Sequence, residues 1–238
     1  MTVGIIGLGR FGTLTAKIIS RYFDVVSYDI KPLKMPKRIK LVALEVAAAQ
    51  DIVILAVPIR EMKDVLKRIS PFVKSGSLIC DVCSVKEKPV EWMKKYLPSY
   101  VSILGTHPLF GPDSVSKNLK GSDIIITPVR ISRSKLFIIE KALKKTGLNV
   151  YKISPEEHDR AIATTQTLLH FIARGFLKLP EYKNIPETKS HKIVKDIFDT
   201  LNKDTIELYE DINKYNRFAA KIRGKFIAEL KESNTEID

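Results

Sequence analysis

Val3-Gly4-Ile5-Ile6-Gly7-Leu8-Gly9-Arg10-Phe11-Gly12 is the stretch on which the fold turns. An apolar, strand-like segment, Val3 to Ile6, runs into three glycines spaced G-x-G-x-x-G, and Phe11 to Arg21 continues at helical spacing. Strand, glycine turn and helix form the context that gives this spacing a physical task. Gly7 permits a tight turn, Gly9 lets a pyrophosphate approach the backbone, and Gly12 lets the helix lie close to the strand. The helix N-terminus then offers unsatisfied N–H groups to the phosphates. Gly7, Leu8, Gly9, Arg10, Phe11 and Gly12 are therefore candidate dinucleotide-binding residues.

Working outward, Val25 to Asp29 reads as a second strand ending in a carboxylate about 20 residues on, where the motif calls for one. A carboxylate there accepts both ribose hydroxyls and repels a 2′-phosphate, so Asp29 predicts NAD over NADP. Lys31 and Lys34 lie nearby and argue the other way. Asp51 to Val57 is an apolar run stopped by Pro58, as expected of a fully buried parallel strand. Val57 and Pro58 stand where a cofactor lies in such a sheet.

Further strands are expected at Ser77–Val82, Val101–Leu104 and Asp123–Thr127. Helices are expected at Glu61–Ile69 and Lys135–Lys145, with a short helix or turn at Val42–Ala49. Such alternation predicts a parallel sheet covered on both faces. The pattern changes at Ser154-Pro155-Glu156-Glu157, where Ser caps a helix, Pro opens it and Glu stands at the third position. That helix is expected to reach about Leu179 and stop at Pro180, with a connection over 181–187. From Thr188 onward no strand signal appears, and apolar residues recur at helical spacing: Ile193, Ile197, Leu201, Leu208, Ile212, Tyr215, Phe218, Ile222 and Phe226. The reading is an α/β protein: a Rossmann-like doubly wound parallel sheet over 1–153 and an all-helical domain over 154–238. The helical part is small to stand alone, so it is expected to pack on the first domain and on a second copy, giving a homodimer.

Composition narrows the partners. Hydrophobic residues make up 45% of the 238, enough for a substantial core. No run approaches the ~20 apolar residues of a membrane span, and the N-terminus lacks the pattern of a signal peptide; a cytoplasmic protein is expected. The net charge of +13 comes from lysines spread along the chain without aromatic interleaving, so nucleic acid is not expected as a partner. The Lys- and Ile-rich composition is compatible with a thermophile. Cys80 and Cys83 form a C-x-x-C with no second ligand pair to complete a metal site, so no metal is expected.

Four histidines are present, His107, His158, His170 and His191. His107 stands out because it follows the strand at Val101–Leu104 and enters the punctuated segment Gly105-Thr106-His107-Pro108-Leu109-Phe110-Gly111-Pro112-Asp113-Ser114. Ligands in doubly wound sheets sit beyond the carboxyl ends of the strands. Ser84 follows another such strand, so a hydroxyl and an imidazole are expected to meet. Imidazole suits a general base at neutral pH. His170 lies four residues after Gln166, so the two share one helix face.

These segments together resemble the prephenate/arogenate dehydrogenase family of tyrosine biosynthesis. The resemblance is carried by Gly7–Gly12, Asp81–Lys86 with Lys88-Pro89, Gly105–Ser114, His158-Asp159 with Gln166 and His170, and Leu208-Tyr209-Glu210-Asp211-Ile212 with Tyr215-Asn216. It implies an NAD-dependent oxidative decarboxylation: a hydride leaves ring C4, carbon dioxide leaves C1, and the ring becomes aromatic. It implies His107 as the base on the C4 hydroxyl and Ser84 as a hydrogen-bond neighbour of the histidine and substrate. It further implies His170, Gln166 and Ser114 as substrate contacts. Enteric-type members carry an Arg that grips a ring carboxylate; Thr188-Lys189-Ser190-His191-Lys192 lacks it and is similar to plant-like arogenate members. Lys189 and Lys192 are the candidate replacements, although Lys cannot reproduce bidentate binding. The resemblance also implies no feedback control through a fused regulatory domain.

Two other readings compete. One is another two-domain NAD(P)-dependent dehydrogenase of β-hydroxyacid type, which needs a catalytic lysine on the interdomain helix where this chain has His170. The other is an NAD-binding regulator or nucleic-acid-associated protein, whose mark is tight, salt-sensitive DNA binding.

Overall fold

The structure, a computed structural model, describes residues 1–31, 35–36, 38–115, 119–179 and 186–237. Lys34, Pro180 and most of the 181–187 connection lie outside the described residues. The chain forms two compact units, Met1–His158 and Asp159–Asp238.

The first unit is one eight-stranded sheet in the order β3-β2-β1-β4-β5-β6-β7-β8. Its strands are β1 (Thr2–Ile6), β2 (Asp24–Tyr28), β3 (Ile39–Leu41), β4 (Ile52–Leu55), β5 (Leu78–Asp81), β6 (Ser102–Pro108), β7 (Asp123–Arg130) and β8 (Asn149–Lys152). The helices are α1 (Arg10–Ile19), α2 (Leu44–Ala48), α3 (Ile59–Ile69), α4 (Glu87–Tyr96) and α5 (Arg133–Lys145). The central strands are mostly apolar: Val3, Ile5, Ile6, Val53, Leu55, Ile79 and Ile103 are at most 1% exposed. This is why no polar–apolar alternation marks them in sequence. The order reverses between β1 and β4, and such a switch point opens a crevice at the carboxyl ends of the strands.

Two features depart from the expected parallel sheet. β7 runs antiparallel to β6, pairing His107 with Ile125 and Pro108 with Ile124. That pairing extends β6 well past Leu104, so His107 sits in the strand rather than in the loop after it, and it is 4% exposed. The short edge strands β3 and β8, and helix α4, carry too weak a pattern to be read from sequence.

Helix α6 (Pro155–Ile162) spans the division between the units. The predicted cap is present: the Glu157 backbone N–H donates to Ser154 Oγ (3.2 Å), and Ser154 N–H donates to Glu157 Oε2 (2.8 Å). Beyond α6 the helix widens into a π turn, Ala163–Thr167, and resumes as α7 (Leu168–Phe176). Thr165 Oγ1 donates back to the Ala161 carbonyl at 3.0 Å, a bond that competes with the helix ladder and bends it. α8 (Lys189–Asn202), α9 (Ile206–Tyr215) and α10 (Ala219–Thr235) complete the second unit. Thr188 and Thr205 cap α8 and α9 through their hydroxyls. The apolar face expected on α8 is only partly covered. Phe198 is buried against Phe176, with ring centroids 5.2 Å apart, but Ile193 and Ile197 remain about half exposed, at 52% and 51%. Among the described residues no helix is long and apolar enough to cross a membrane.

Candidate active site

The glycine turn is built as the spacing predicts. Gly7 has φ +96°, and a Cβ there would lie 2.4 Å from the Ala56 carbonyl oxygen, at the end of β4. A Cβ on Gly12 would lie 2.0 Å from the Gly7 carbonyl oxygen. Gly9 differs: nothing among the described residues lies within 4 Å of a Cβ placed on it. Gly7 and Gly12 are thus demanded by the protein's own packing, whereas Gly9 borders open space at the N-terminus of α1. No side chain caps that terminus and no acidic residue stands in its first turn. An uncapped helix end beside an open backbone fits a pyrophosphate.

Asp29 belongs to the same turn. Its Oδ2 accepts the Leu8 N–H at 2.6 Å, and its Oδ1 accepts the Lys31 N–H at 2.8 Å. The carboxylate ties the end of β2 to the glycine turn and keeps lone pairs for ribose hydroxyls. Val57 Cγ1 lies 3.0 Å from a Cβ placed on Gly7, and Pro58 caps α3, so both border the cradle. Arg10 and Phe11 reach toward the segment after β6. The Arg10 guanidinium pairs with Asp113 at 2.5 Å, and the Phe11 and Phe110 rings are 6.1 Å apart.

His107 sits at the end of β6 in a buried polar cluster. Its Nδ1 lies 2.8 Å from Nε2 of His158, and the two rings meet edge to face with centroids 5.0 Å apart. Lys86 and Asp81, both wholly buried, form an ion pair nearby. Asp81 also accepts the Cys83 N–H (3.0 Å) and the Thr106 N–H (3.4 Å), and its carbonyl accepts the Thr106 hydroxyl (2.5 Å). The pair therefore locks the ends of β5 and β6 together. The Lys86 stem passes over Gly105, with Cδ 3.4 Å from a Cβ placed there. Gly105 and His107 are two apart on one strand and share a face. Burial first, then the charge of Lys86, pushes His158 down to about 2. Burial, His158 and Lys86 hold His107 well below the ordinary imidazole range. Both rings are neutral at physiological pH. Burial pushes the Cys80 thiol up to about 12, and neither Cys80 nor Cys83 is in a disulfide.

Among the described residues no hydrogen bond joins Ser84 to His107, whose Nδ1 is paired with His158. Ser114 is exposed, and its hydroxyl accepts the Gly111 N–H at 2.8 Å, closing the turn after β6. His158, Lys86 and Asp81 carry no chemical role that their local sequence announces. The available signal was a carboxylate ending an apolar strand with a lysine five residues on.

In the helical unit, His170 is 2% exposed, and its Nε2 lies 3.6 Å from Asp204 Oδ2. Burial lowers its pKa, with Asp204 opposing the shift. The Arg174 guanidinium, four residues along the same face, lies 4.4 Å from the centre of the Tyr209 ring. Among the described residues, the buried Oε1 of Gln166, Oγ1 of Thr167 and Nε of Arg174 have no hydrogen-bond partner. Arg174, Leu177, Lys178, Asn202, Ile206 and Tyr209 line a cleft of about 380 Å³. Lys189 and Lys192 are exposed.

Comparison with known proteins places this geometry. A family model described as prephenate dehydrogenase, nucleotide-binding domain, matches residues 23–152. A probable arogenate/prephenate dehydrogenase of Methanocaldococcus jannaschii is 32% identical over 79% of this chain and 44% of its own length. Arogenate dehydrogenase 1, chloroplastic, of Arabidopsis thaliana is 31% identical over 72% of this chain and 28% of its own. The chain thus spans less than half the length of these two curated relatives. Among solved structures, prephenate dehydrogenase from A. aeolicus in complex with hydroxyphenyl propionate and NAD+ superposes with a TM-score of 0.73. It is 23% identical, with 100% of this chain and 98% of that one covered. Synechocystis arogenate dehydrogenase gives a TM-score of 0.69 at 19% identity, covering 100% and 92%. The Rossmann-like sheet with a helical C-terminal region is the fold of these proteins, and over more than half its length this chain carries their nucleotide-binding domain; it belongs to the prephenate dehydrogenase family.

Proposed function

We propose that this protein catalyses the NAD-dependent oxidative decarboxylation of prephenate or arogenate, with His107 as the base. The observation that carries the reading is a neutral, buried imidazole at the end of β6, on the sheet edge where the open glycine cradle lies. When bound, NAD supplies the two-electron acceptor. Gly7, Leu8, Gly9, Arg10, Phe11 and Gly12 would hold its pyrophosphate, with Asp29 on the ribose and Val57 and Pro58 bordering it. Asp29 favours NAD over NADP, because a 2′-phosphate would meet its carboxylate.

The protein's own task is narrow. His107 Nε2 accepts the C4 hydroxyl proton as the C–O bond gains double-bond character. A base held neutral stays available for that proton over a wide pH range. Buried surroundings exclude water from the reacting bond. Ser84, two residues before Lys86, is assigned a contact with the substrate rather than with the histidine. His170, Gln166 and Ser114 are assigned to substrate binding, and Lys189 and Lys192 to a substrate carboxylate. Arg174 joins these two as a candidate, since guanidinium binds carboxylate with two parallel bonds and ammonium does not. The exposed Ile193 and Ile197 on α8 support a homodimer formed through the helical unit. A cytoplasmic location agrees with a biosynthetic role.

Supplying prephenate and arogenate separately, each with NAD and with NADP, and following nicotinamide reduction tests substrate and cofactor together. Turnover of at least one substrate with NAD is expected; turnover of neither would overturn the assignment.

A further inference from the structure

We propose that His158 is a positioning residue for His107: it accepts the Nδ1 proton and thereby leaves the lone pair on Nε2. The inference rests on His107 acting as a base, as set out above. Two ring nitrogens 2.8 Å apart and joined by a hydrogen bond share one proton. Only two arrangements exist. If His158 Nε2–H donates, His107 carries its own proton on Nε2 and cannot take one from a hydroxyl. If His107 Nδ1–H donates, Nε2 is free to act. The second arrangement alone is compatible with base chemistry.

A carboxylate or a backbone carbonyl ordinarily fills this orienting position. Here the buried carboxylate of the cluster, Asp81, is engaged by Lys86, Cys83 N–H and Thr106 N–H. A second imidazole takes the place instead. Its edge-to-face approach, 64° between ring planes, aims one ring's N–H at the other's lone pair. His158 is wholly buried on α6, so its side chain has little freedom to turn away. A neutral acceptor orients without adding the negative charge that would make His107 more basic. The site thus separates orientation from activation, which a charged partner would combine.

Long-range proton–nitrogen NMR of the ¹⁵N-labelled protein reads the tautomer directly and needs no substrate. The His107 signals are assigned by their loss in His107→Gln. A proton on Nδ1 with a bare Nε2 is expected; a proton on Nε2 overturns the proposal. Kinetics supply the second readout. His158→Phe keeps the volume but removes the acceptor, and kcat should fall about 10²-fold, with KM and NAD affinity changed less than about threefold. Loss of the correct tautomer in a charged triad costs about 10⁴, and a neutral partner should cost less. His158→Gln, whose carbonyl can accept the same proton, should recover at least about tenfold of that loss. Equal losses in both variants, or none in His158→Phe, would point to packing alone and overturn the role. Failure of the unmodified protein to oxidise either substrate would count against the proposed reaction, while the tautomer measurement still decides the placement of the proton.

Discussion

The carboxyl ends of β1 and β6 do different physical work. At β1 the backbone is the functional surface, and side chains matter by their absence. Gly7 and Gly12 are glycine because neighbouring carbonyl oxygens leave no room for a Cβ, and Gly9 is glycine where nothing in the protein requires it. At β6 the candidate site is built of side chains in contact: His107 with His158, and Asp81 with Lys86. A backbone site is written in a few consecutive residues. A side-chain site is assembled from distant segments: His107 and His158 are themselves 51 residues apart.

The largest expected break in this comparison is at His107. Replacing it with Asn should lower turnover by ~10²–10⁴ while NAD affinity, measured by calorimetry, stays within about threefold. Loss of both together would mean that the two strand ends are not separable. Next is the buried ion pair. Lys86→Met leaves Asp81 buried without its cation and should destabilise the sheet unit by ~3–5 kcal/mol in denaturant unfolding. It should also raise the His107 pKa, because the Lys86 charge is among the causes that hold it down.

The glycine pair sharpens the contrast at β1. Gly12→Ala should cost ~1–3 kcal/mol, since backbone must move to admit the methyl group. Gly9→Ala should leave stability within ~0.5 kcal/mol yet weaken NAD binding, because its methyl projects where the pyrophosphate would lie. A Gly9→Ala protein that binds NAD normally would argue against the cradle.

The smallest effect at neutral pH is acid sensitivity at the β6 end. His107 and His158 are held neutral below their ordinary 6.5, so the unfolded chain binds protons that the folded one refuses. Their contribution is complete above pH 6.5 and is lost as pH falls toward the folded values. Urea midpoints should therefore decline below pH 6.5, and His158→Gln should decline less steeply. Equal slopes would show that burial of these rings does not govern the acid limb.

Legibility followed the same division. The glycine turn, Asp29, the buried strand at Asp51–Val57 and the Ser154–Glu157 cap follow from residues close in sequence, where steric demands and local hydrogen bonds decide. Local sequence marks His107 as chemically notable but points to a loop rather than a strand. The reason is that the strand containing it is extended by β7, whose antiparallel pairing no local pattern announces. Strand ends suggest that Ser84 and His107 come together, but no local pattern announces the contact of His107 Nδ1 with a residue on α6. The exposed Ile193 and Ile197 show the same limit: helical periodicity marks an apolar face without saying what covers it.

The sequence by itself determined the switch-point architecture and the cradle, because a turn with φ +96° and a helix lying tight against a strand each restrict one position to glycine. Tertiary structure alone decided that His107 Nδ1 meets His158 and that Asp81 is bound to Lys86. Those choices depend on which side chains share a buried space, where desolvation makes an unpartnered polar group costly.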